Sequence, residues 1–323
     1  TISAAPKAAS LAPAAKTSFF PTKLTSTPDP AYVWSSLFAG IGSGALASIV
    51  CAPLDVMRTR MQVWGDIHNT KTTWSGFVKQ IWKNEGHRGF FRGLGASLAT
   101  VPLFWGLYFP MYEDMKERLA AEGRHPALVH CGSAIIAGGI ADVICNPMFV
   151  VRLRLTTMAL HAGQPHAPEP GILKTIGILY KEGGIPIFWR GLAASLVGLS
   201  HVAVQFPVYE WLKEQARERN GSDQLRPVDL LVTSGLSKMS ASLLTYPHEV
   251  VRSRMMDSRV SSQAYLWATI MRIWKKEGLQ GFYSGLHISL LRVVPNCCVT
   301  FMTYELLLQF AKEKMLEQRR KQS

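Results

Sequence analysis

Six long apolar stretches alternate with polar segments along the chain. They cover approximately residues 33–50, 94–111, 129–150, 192–208, 230–250 and 286–308. Each has about the 17–25 residues with which an α-helix crosses a bilayer. Several contain ionisable residues, among them Asp142, His201, Lys238 and Arg292. Because such groups are costly in lipid unless they pair or face a cavity, the pattern predicts a membrane bundle around a polar interior. Since some stretches are near the lower length limit, buried helices of a large soluble protein are the alternative.

Composition favours the membrane bundle. A chain of 323 residues could form two soluble domains, but 48% of its residues are hydrophobic, 18% are charged and the mean hydropathy is +0.10. The five cysteines have no metal-binding spacing. The chain also contains no P-loop, dinucleotide fingerprint or nucleophile–base constellation. We therefore expect no enzymatic activity, no cofactor and no metal.

One motif occurs three times, about one hundred residues apart. It reads Pro-x-acid-x-x-Arg-x-Arg and stands in "APLDVMRTR", "NPMFVVRLR" and "YPHEVVRSRMM", with Phe149 replacing the acid of the second copy. A Glu-Gly pair followed by an aromatic residue and glycine, and a later Tyr-Glu pair, recur in register. A shared period over several landmarks indicates internal repeats. The chain therefore divides into an Ala/Pro-rich extension at 1–30 and repeats at 31–125, 126–222 and 223–323, the last ending in a basic tail.

The repeated proline predicts the shape of the bundle. Proline within a helix removes one backbone hydrogen bond and bends the helix, which bundled neighbours tolerate in a membrane. Three equivalent bends predict a pseudo-threefold basket that is closed where the bent helices meet. There each acid would lie beside an arginine of an adjacent repeat. The simpler alternative is an i,i+3 pair within one helix, such as Glu249 with Arg252.

The triplicated motif resembles the signature of the mitochondrial carrier family, over approximately residues 33–315. This resemblance implies an all-α protein with six transmembrane helices in three pseudo-threefold repeats and short amphipathic helices on the matrix side. It also implies alternating access across the mitochondrial inner membrane. The stretches "SLVGLSHVAVQFPVYE" and "LLRVVPNCCVTFMTYE" resemble the branch for pyrimidine nucleotides, nicotinamide adenine dinucleotide (NAD), and folate or flavin. Within that branch, "FWGLYFPMYE" is most similar to folate and flavin members, and "TYPHEVVR" to nucleotide and dinucleotide members.

The resemblance implies a matrix gate between the repeats. Its pairs would be Asp55 with Arg152, Glu249 with Arg58, and Phe149 with Arg252. Gln62 matches the family's bracing glutamine. Because Phe149 carries no charge, we predict two ion pairs rather than three, with a cation–π contact in place of the third.

The Tyr-Glu landmarks match the family's cytoplasmic gate. The matching residues are Tyr112, Glu113 and Lys116, then Tyr209, Glu210 and Lys213, then Tyr304 and Glu305. Leu308 stands where the third base belongs, so this gate is also incomplete. A tyrosine at each helix end near the membrane interface is the alternative explanation.

The aromatic–Gly landmarks precede the even-numbered helices. Free backbone N–H groups at a helix start attract anions, and the resemblance implies a phosphate of cardiolipin there. The implied lipid-binding residues are Arg92, Gly93, Arg190, Gly191 and Gly285. The third copy lacks the arginine, so we expect its lipid site to be weaker.

The resemblance also indicates substrate contacts on the even-numbered helices. The candidates are Thr100, Trp105, Val197, Gly198, His201 and Arg292. An arginine fork such as that of Arg292 can bind a phosphate or carboxylate through two hydrogen bonds, and Trp105 offers a stacking surface. Packing against lipid is the alternative for Trp105, and packing within the bundle is the alternative for His201.

The net charge of +13 favours an anion, although basic residues also bind anionic lipid. We therefore predict a nucleotide or dinucleotide carrier of the inner membrane whose solute is anionic and aromatic, with no nucleic acid partner. A folate or flavin carrier is one alternative. Another is a carrier-fold subunit of a larger inner-membrane assembly that holds residues 1–30, which resemble a processed or targeting segment.

Overall fold

The chain folds as a helical bundle with three short peripheral helices. The computed structural model describes residues 30–67, 73–121, 126–161, 170–220, 225, 227–258 and 265–322. The helices are α1 (Pro30–Ile67), α2 (Trp74–Glu85), α3 (Leu94–Ala121), α4 (Pro126–His161), α5 (Ile172–Gly183), α6 (Leu192–Gly198), α7 (Ser200–Asn220), α8 (Pro227–Asp257), α9 (Leu266–Glu277) and α10 (Leu286–Gln322). Three 3₁₀ turns precede α3, α6 and α10, and the described residues form no strand. The predicted all-α class is confirmed. Residues 1–29 of the extension lie outside the described part.

The long helices pair in the order of the repeats. α3 lies along α4, α7 along α8, and α1 closes the bundle by packing along α10. The signature prolines, Pro53, Pro147 and Pro247, lie inside α1, α4 and α8. These three helices also contact one another. The helices that carry the signature are therefore the ones that meet.

Four described segments are long and apolar enough to cross a membrane. They are Gly40–Ile67, His87–Ala121, Leu128–His161 and Ile185–Asn220. The fourth is interrupted at Leu199, between α6 and α7. α8 and α10 have 31 and 37 residues but carry more polar side chains. Their packing along α7 and α1 makes them part of the same bundle.

The short helices α2, α5 and α9 are amphipathic and equivalent. Each buries one narrow face, made by Phe77 with Ile81, Thr175 with Leu179, and Thr269 with Ile273. Each then ends at a glycine with φ near +65°, namely Gly86, Gly184 and Gly278. Only glycine adopts this left-handed conformation without strain. It lets the chain turn sharply from the short helix toward the next long one.

The second arginine of each signature joins a short helix to the bundle. Arg60, Arg154 and Arg254 are almost completely buried. Each forms an ion pair with the glutamate of the Glu-Gly landmark in its own repeat, namely Glu85, Glu182 and Glu277. Each Nε also donates to a backbone carbonyl of another repeat, at Thr156, Met256 and Gln62, over 2.9, 3.2 and 2.9 Å. Because these three carbonyls belong to equivalent positions, the second arginines link the repeats in a closed ring.

Removing one acid from this ring should be strongly destabilising. The Arg254 side chain has no solvent exposure, so Glu277→Ala leaves a buried cation without its partner, at a cost of about 3–5 kcal/mol. We expect a large fall in the unfolding temperature of the detergent-solubilised protein. Glu113→Ala is the matched control, because the pair of Glu113 with Lys116 is exposed and such pairs contribute at most about 1 kcal/mol. Similar losses in both variants would contradict a structural role for the ring.

Candidate functional site

Two of the predicted inter-repeat pairs are formed where the signatures meet, a region we call the signature end. Arg58 on α1 forms an ion pair with Glu249 on α8. Arg152 on α4 approaches Asp55 on α1, with 3.4 Å between Nη2 and Oδ2. These contacts join the first repeat to the third and to the second. The alternative of an intrahelical pair between Glu249 and Arg252 is not the arrangement observed.

Arg252 has both an aromatic and an acidic neighbour. Its guanidinium lies over the Phe149 ring, 4.7 Å from the centroid, as a cation–π contact requires. Its Nη2 also lies 3.8 Å from Oδ1 of Asp142. The predicted cation–π contact is therefore confirmed, whereas the prediction of only two ion pairs at this end is wrong, because Arg252 also has a longer pair with Asp142 on α4. Lys238, the other charge expected to pair or face the cavity, is exposed.

Gln62 bridges the interface between the first and third repeats. Its side-chain amide donates to the Tyr246 hydroxyl over 3.0 Å, and its amide oxygen accepts from the Ser253 hydroxyl over 2.7 Å. Gln62 is almost fully buried, so both bonds lie away from water. The position expected of a bracing residue is therefore occupied by an amide whose donor and acceptor are both engaged.

Arg292 on α10 does not stand alone in the interior. Its Nη1 forms an ion pair with Asp55, the carboxylate that also approaches Arg152. Arg152 is in turn within electrostatic range of Arg58, Arg252 and Arg292. Four arginines therefore face three acids at this level, namely Asp55, Asp142 and Glu249. The signature end carries an excess of positive charge, which suits an anion.

The fourth-stretch candidates lie beside α8. Gly198 is buried against the imidazole of His248, and a Cβ at Gly198 would overlap that ring. His201 lies one turn further along and its Nδ1 is 3.0 Å from the Gly198 carbonyl oxygen. Val197 is 55% exposed. Gly198 therefore serves close packing against α8, and Val197 is the accessible member of the predicted pair.

The α3 candidates behave differently from one another. Thr100 is completely buried and its hydroxyl donates to the Ala96 carbonyl over 2.6 Å. The expectation that Thr100 contacts a solute is therefore wrong for this conformation, because its hydroxyl is used inside its own helix. Trp105 is 47% exposed and stacks on Phe109, with 5.1 Å between ring centroids.

A row of aromatic rings runs along α3 and continues onto α4. Phe104, Tyr108 and Tyr112 stand four residues apart and stack with near-parallel rings, 6.0 and 5.8 Å between centroids. The row reaches Phe149 beside Phe104, at 5.9 Å, and His130 beside Tyr112, at 6.5 Å. Because Phe149 also touches Arg252, the row leads from the opposite end of the bundle to the signature end.

The opposite end shows no inter-repeat ion pair among the described side chains. Lys116 binds Glu113 over 3.1 Å and Lys213 binds Glu210 over 3.5 Å, each within its own helix. Each lysine also lies over the tyrosine of its motif, at 5.8 Å for Tyr112 and 5.5 Å for Tyr209. The side chains of Tyr304 and Glu305 lie outside the described residues.

The predicted lipid-binding glycines lie directly before α3, α6 and α10. Gly93, Gly191 and Gly285 have φ of 77°, 82° and 83°. The neighbouring arginines point inward: Arg92 forms an ion pair with Glu85 over 2.6 Å, and Arg190 donates to the Ser258 carbonyl over 2.6 Å. Both guanidinium groups are thus engaged within the protein, and their contact with a lipid stays a prediction.

Comparison with known proteins decides the family. The model of the family described as "Mitochondrial carrier protein" matches residues 29–123, 123–220 and 223–315. The chain belongs to this family. It is similar to nicotinamide adenine dinucleotide transporter 2, mitochondrial, of Arabidopsis thaliana, with 34% identity over 85% of this chain and 79% of the relative. It is also similar to mitochondrial nicotinamide adenine dinucleotide transporter 1 of Saccharomyces cerevisiae, at 33% over 83% and 74%, and to folate transporter 1, chloroplastic, of Arabidopsis thaliana, at 32% over 87% and 96%.

The carrier is a multi-pass protein of the mitochondrial inner membrane, with its six long helices as the spanning bundle. In the orientation that the family resemblance implies, the signature end faces the matrix and the opposite end faces the cytoplasm. The ion pairs at the signature end join different repeats, whereas those described at the other end stay within one helix. The described ion pairs therefore fasten the repeats to one another at the signature end.

The packing of Gly198 against His248 yields a test. Gly198→Ala places a methyl group in the space occupied by the His248 imidazole. Overpacking of this kind lowers stability by about 1–3 kcal/mol. We expect a lower unfolding temperature and slower transport. Gly177→Ala on α5 is the control, because a Cβ there meets nothing. Adding His248→Ala should recover stability, and an equal loss with or without His248 would exclude the steric cause.

Proposed function

We propose that the carrier moves a nucleotide or dinucleotide across the inner membrane by alternating access, in exchange for another solute. The proposal rests on Arg292, which is held by Asp55, and on an aromatic row that reaches the signature end at Phe149 beside Arg252. An anionic group can replace Asp55 on the guanidinium fork, while a planar ring stacks on the row. Such a site suits a solute with both a phosphate or carboxylate and an aromatic ring. The names of the relatives, two NAD transporters and a folate transporter, support this class.

Binding and gate opening are linked through Asp55. The carboxylate contacts both Arg292 and Arg152, so a solute that takes Arg292 changes the environment of a gate pair. A ligand shifts a conformational equilibrium only by its differential affinity for the two states. Release of Asp55 from Arg292 provides this difference in affinity. The strength of the Asp55–Arg152 pair changes when the Asp55 carboxylate no longer binds Arg292.

The aromatic row, rather than Trp105, is the proposed stacking surface. The row ends at Phe149 beside Arg252, whereas Trp105 packs on Phe109 with half of its surface exposed. Trp105 is then proposed to pack against lipid, which was the alternative to a solute contact for this residue. Val197 on α6 and His201 on α7 remain proposed contacts.

Other roles follow from the same fold. Folate or a flavin is the second candidate for the solute, favoured by the aromatic content of α3 and by the folate transporter among the relatives.

We further propose that the backbone N–H groups after Gly93, Gly191 and Gly285 bind cardiolipin phosphates. Catalysis is no part of the proposed function. An assembly partner for residues 1–30 remains a prediction outside the described residues.

A transport screen with the purified carrier in liposomes tests the proposal. NAD, pyrimidine nucleotides, adenine nucleotides, folate and flavin are compared, and we expect nucleotides or NAD to be taken up fastest. Arg292→Ala should abolish uptake and also remove the rise in unfolding temperature that the solute gives the unmodified carrier. Full uptake by this variant would contradict the role of Arg292. Preferred uptake of folate would select the second candidate.

The stacking surface can be tested by comparing two rings on α3. Tyr108→Ala should raise the KM for the aromatic solute about tenfold or more, since one stacking contact contributes about 1–3 kcal/mol. Tyr108→Phe should keep most of the affinity because the ring remains. Trp105→Ala is the comparison variant. Because Trp105 also makes edge contacts with Phe104 and Tyr108, we expect it to raise KM less than Tyr108→Ala does. The reverse order of effects would move the stacking surface to Trp105.

A further inference from the structure

Asp142 is an acid outside all three signatures, yet it lies beside a gate arginine. Its Oδ1 is 3.8 Å from Nη2 of Arg252. Asp142 precedes Phe149 by seven residues on α4, about two helical turns. Residues at this spacing lie on the same face of a helix. Arg252 can therefore stack on the ring at 149 and reach the carboxylate at 142 with the same side chain.

We propose that Asp142 is the anionic member of the third matrix-gate pair, which is built two helical turns further into the cavity than the other two. This proposal rests on the alternating-access function above, because only a carrier has a gate to close. The carrier then keeps three ionic contacts between its repeats, although the second signature has lost its acid. Phe149 becomes the surface that directs Arg252 toward Asp142.

The burial of Asp142 supports this assignment. Only 7% of the residue is exposed, and a buried carboxylate is costly without a counter-ion. Arg252 supplies that counter-ion. The other acid near Arg252 is Glu249, three residues earlier on α8, and Glu249 is bound by Arg58. Lys238, a basic residue earlier on the same helix, is exposed.

The geometry also indicates that this pair is looser than its counterparts. A distance of 3.8 Å exceeds that of a hydrogen bond, and Nε and Nη2 of Arg252 have no hydrogen-bond partner among the described residues. The pair of Arg58 with Glu249, by contrast, is also a hydrogen bond. The interface between the second and third repeats should therefore be the gate's weakest ionic contact.

A double-mutant cycle in detergent tests the pairing without any transport assay. The unfolding temperature is measured for the unmodified carrier, Asp142→Asn, Arg252→Gln and the double variant. We expect non-additive losses, with a coupling of about 1–2 °C, since the shift in unfolding temperature that one contact produces falls as the chain becomes longer. Asp142→Asn combined with Arg118→Gln is the control and should be additive, because the pair of Arg118 with Asp114 is exposed and lies within α3. Additive losses for Asp142 with Arg252 would overturn the proposal.

A relocation variant adds a second arm. Phe149→Asp in the Asp142→Asn background returns the acid to the signature position, and we expect it to recover stability only while Arg252 is present. Recovery of the same size in the Arg252→Gln background would also overturn the pairing. If Asp142→Asn does not fold, the two charges are exchanged. The unfolding temperature of the double variant Asp142→Arg, Arg252→Asp is then compared with that of Asp142→Arg alone. A higher unfolding temperature in the double variant supports the pair, and a lower one excludes it. These readouts do not depend on which solute is carried, so a failed transport screen leaves them interpretable.

Discussion

The fold depends on three buried arginines that water does not reach. Arg60, Arg154 and Arg254 each bind a glutamate of their own repeat and a carbonyl of another repeat. Burying a guanidinium is expensive unless nearly all its donors are engaged. This requirement fixes the short helix against the long one and sets the register between repeats. The Glu-Gly landmark recurs because the glutamate must meet the arginine and the glycine must then turn the chain.

These contacts divide into those within a repeat and those between repeats. The arginine–glutamate pairs hold each long helix and its short helix as one unit. The arginine–carbonyl bonds, like the gate pairs above them, join different units. Opening toward the matrix must break the second class and can spare the first. Alternating access then becomes a motion of three preassembled units rather than an unfolding of the matrix side.

Much of this arrangement could be predicted from the chain alone, because a triplicated motif constrains geometry three times over. The all-α class and the inter-repeat partners of Asp55 and Glu249 follow from the repeat and the family resemblance. The role of the second arginine did not, although the glutamate at a constant distance after each proline was a signal for it. Asp142 was expected to pair or to face the cavity, but Arg252 was not identified as its partner, because pairing by equivalent positions looks for the acid at 149. Thr100 was misplaced because a hydroxyl can satisfy itself within its own helix, which no spacing reveals.

The interface between the second and third repeats shows how one irregular position is accommodated. Its gate contact is a loose ion pair beside a ring, the weakest of the three by geometry. Further toward the matrix, the same interface has additional bonds. Asp257 on α8 accepts from the Thr157 hydroxyl over 2.6 Å and contacts Nε2 of His161 at 2.7 Å. The Ser258 carbonyl accepts from Arg154 and from Arg190. This interface is therefore also held at the buried ends of α4 and α8 by hydrogen bonds to charged groups, which are stronger than those between neutral groups. An aromatic residue can occupy the acid's position because the neighbouring layers of the interface hold the repeats together.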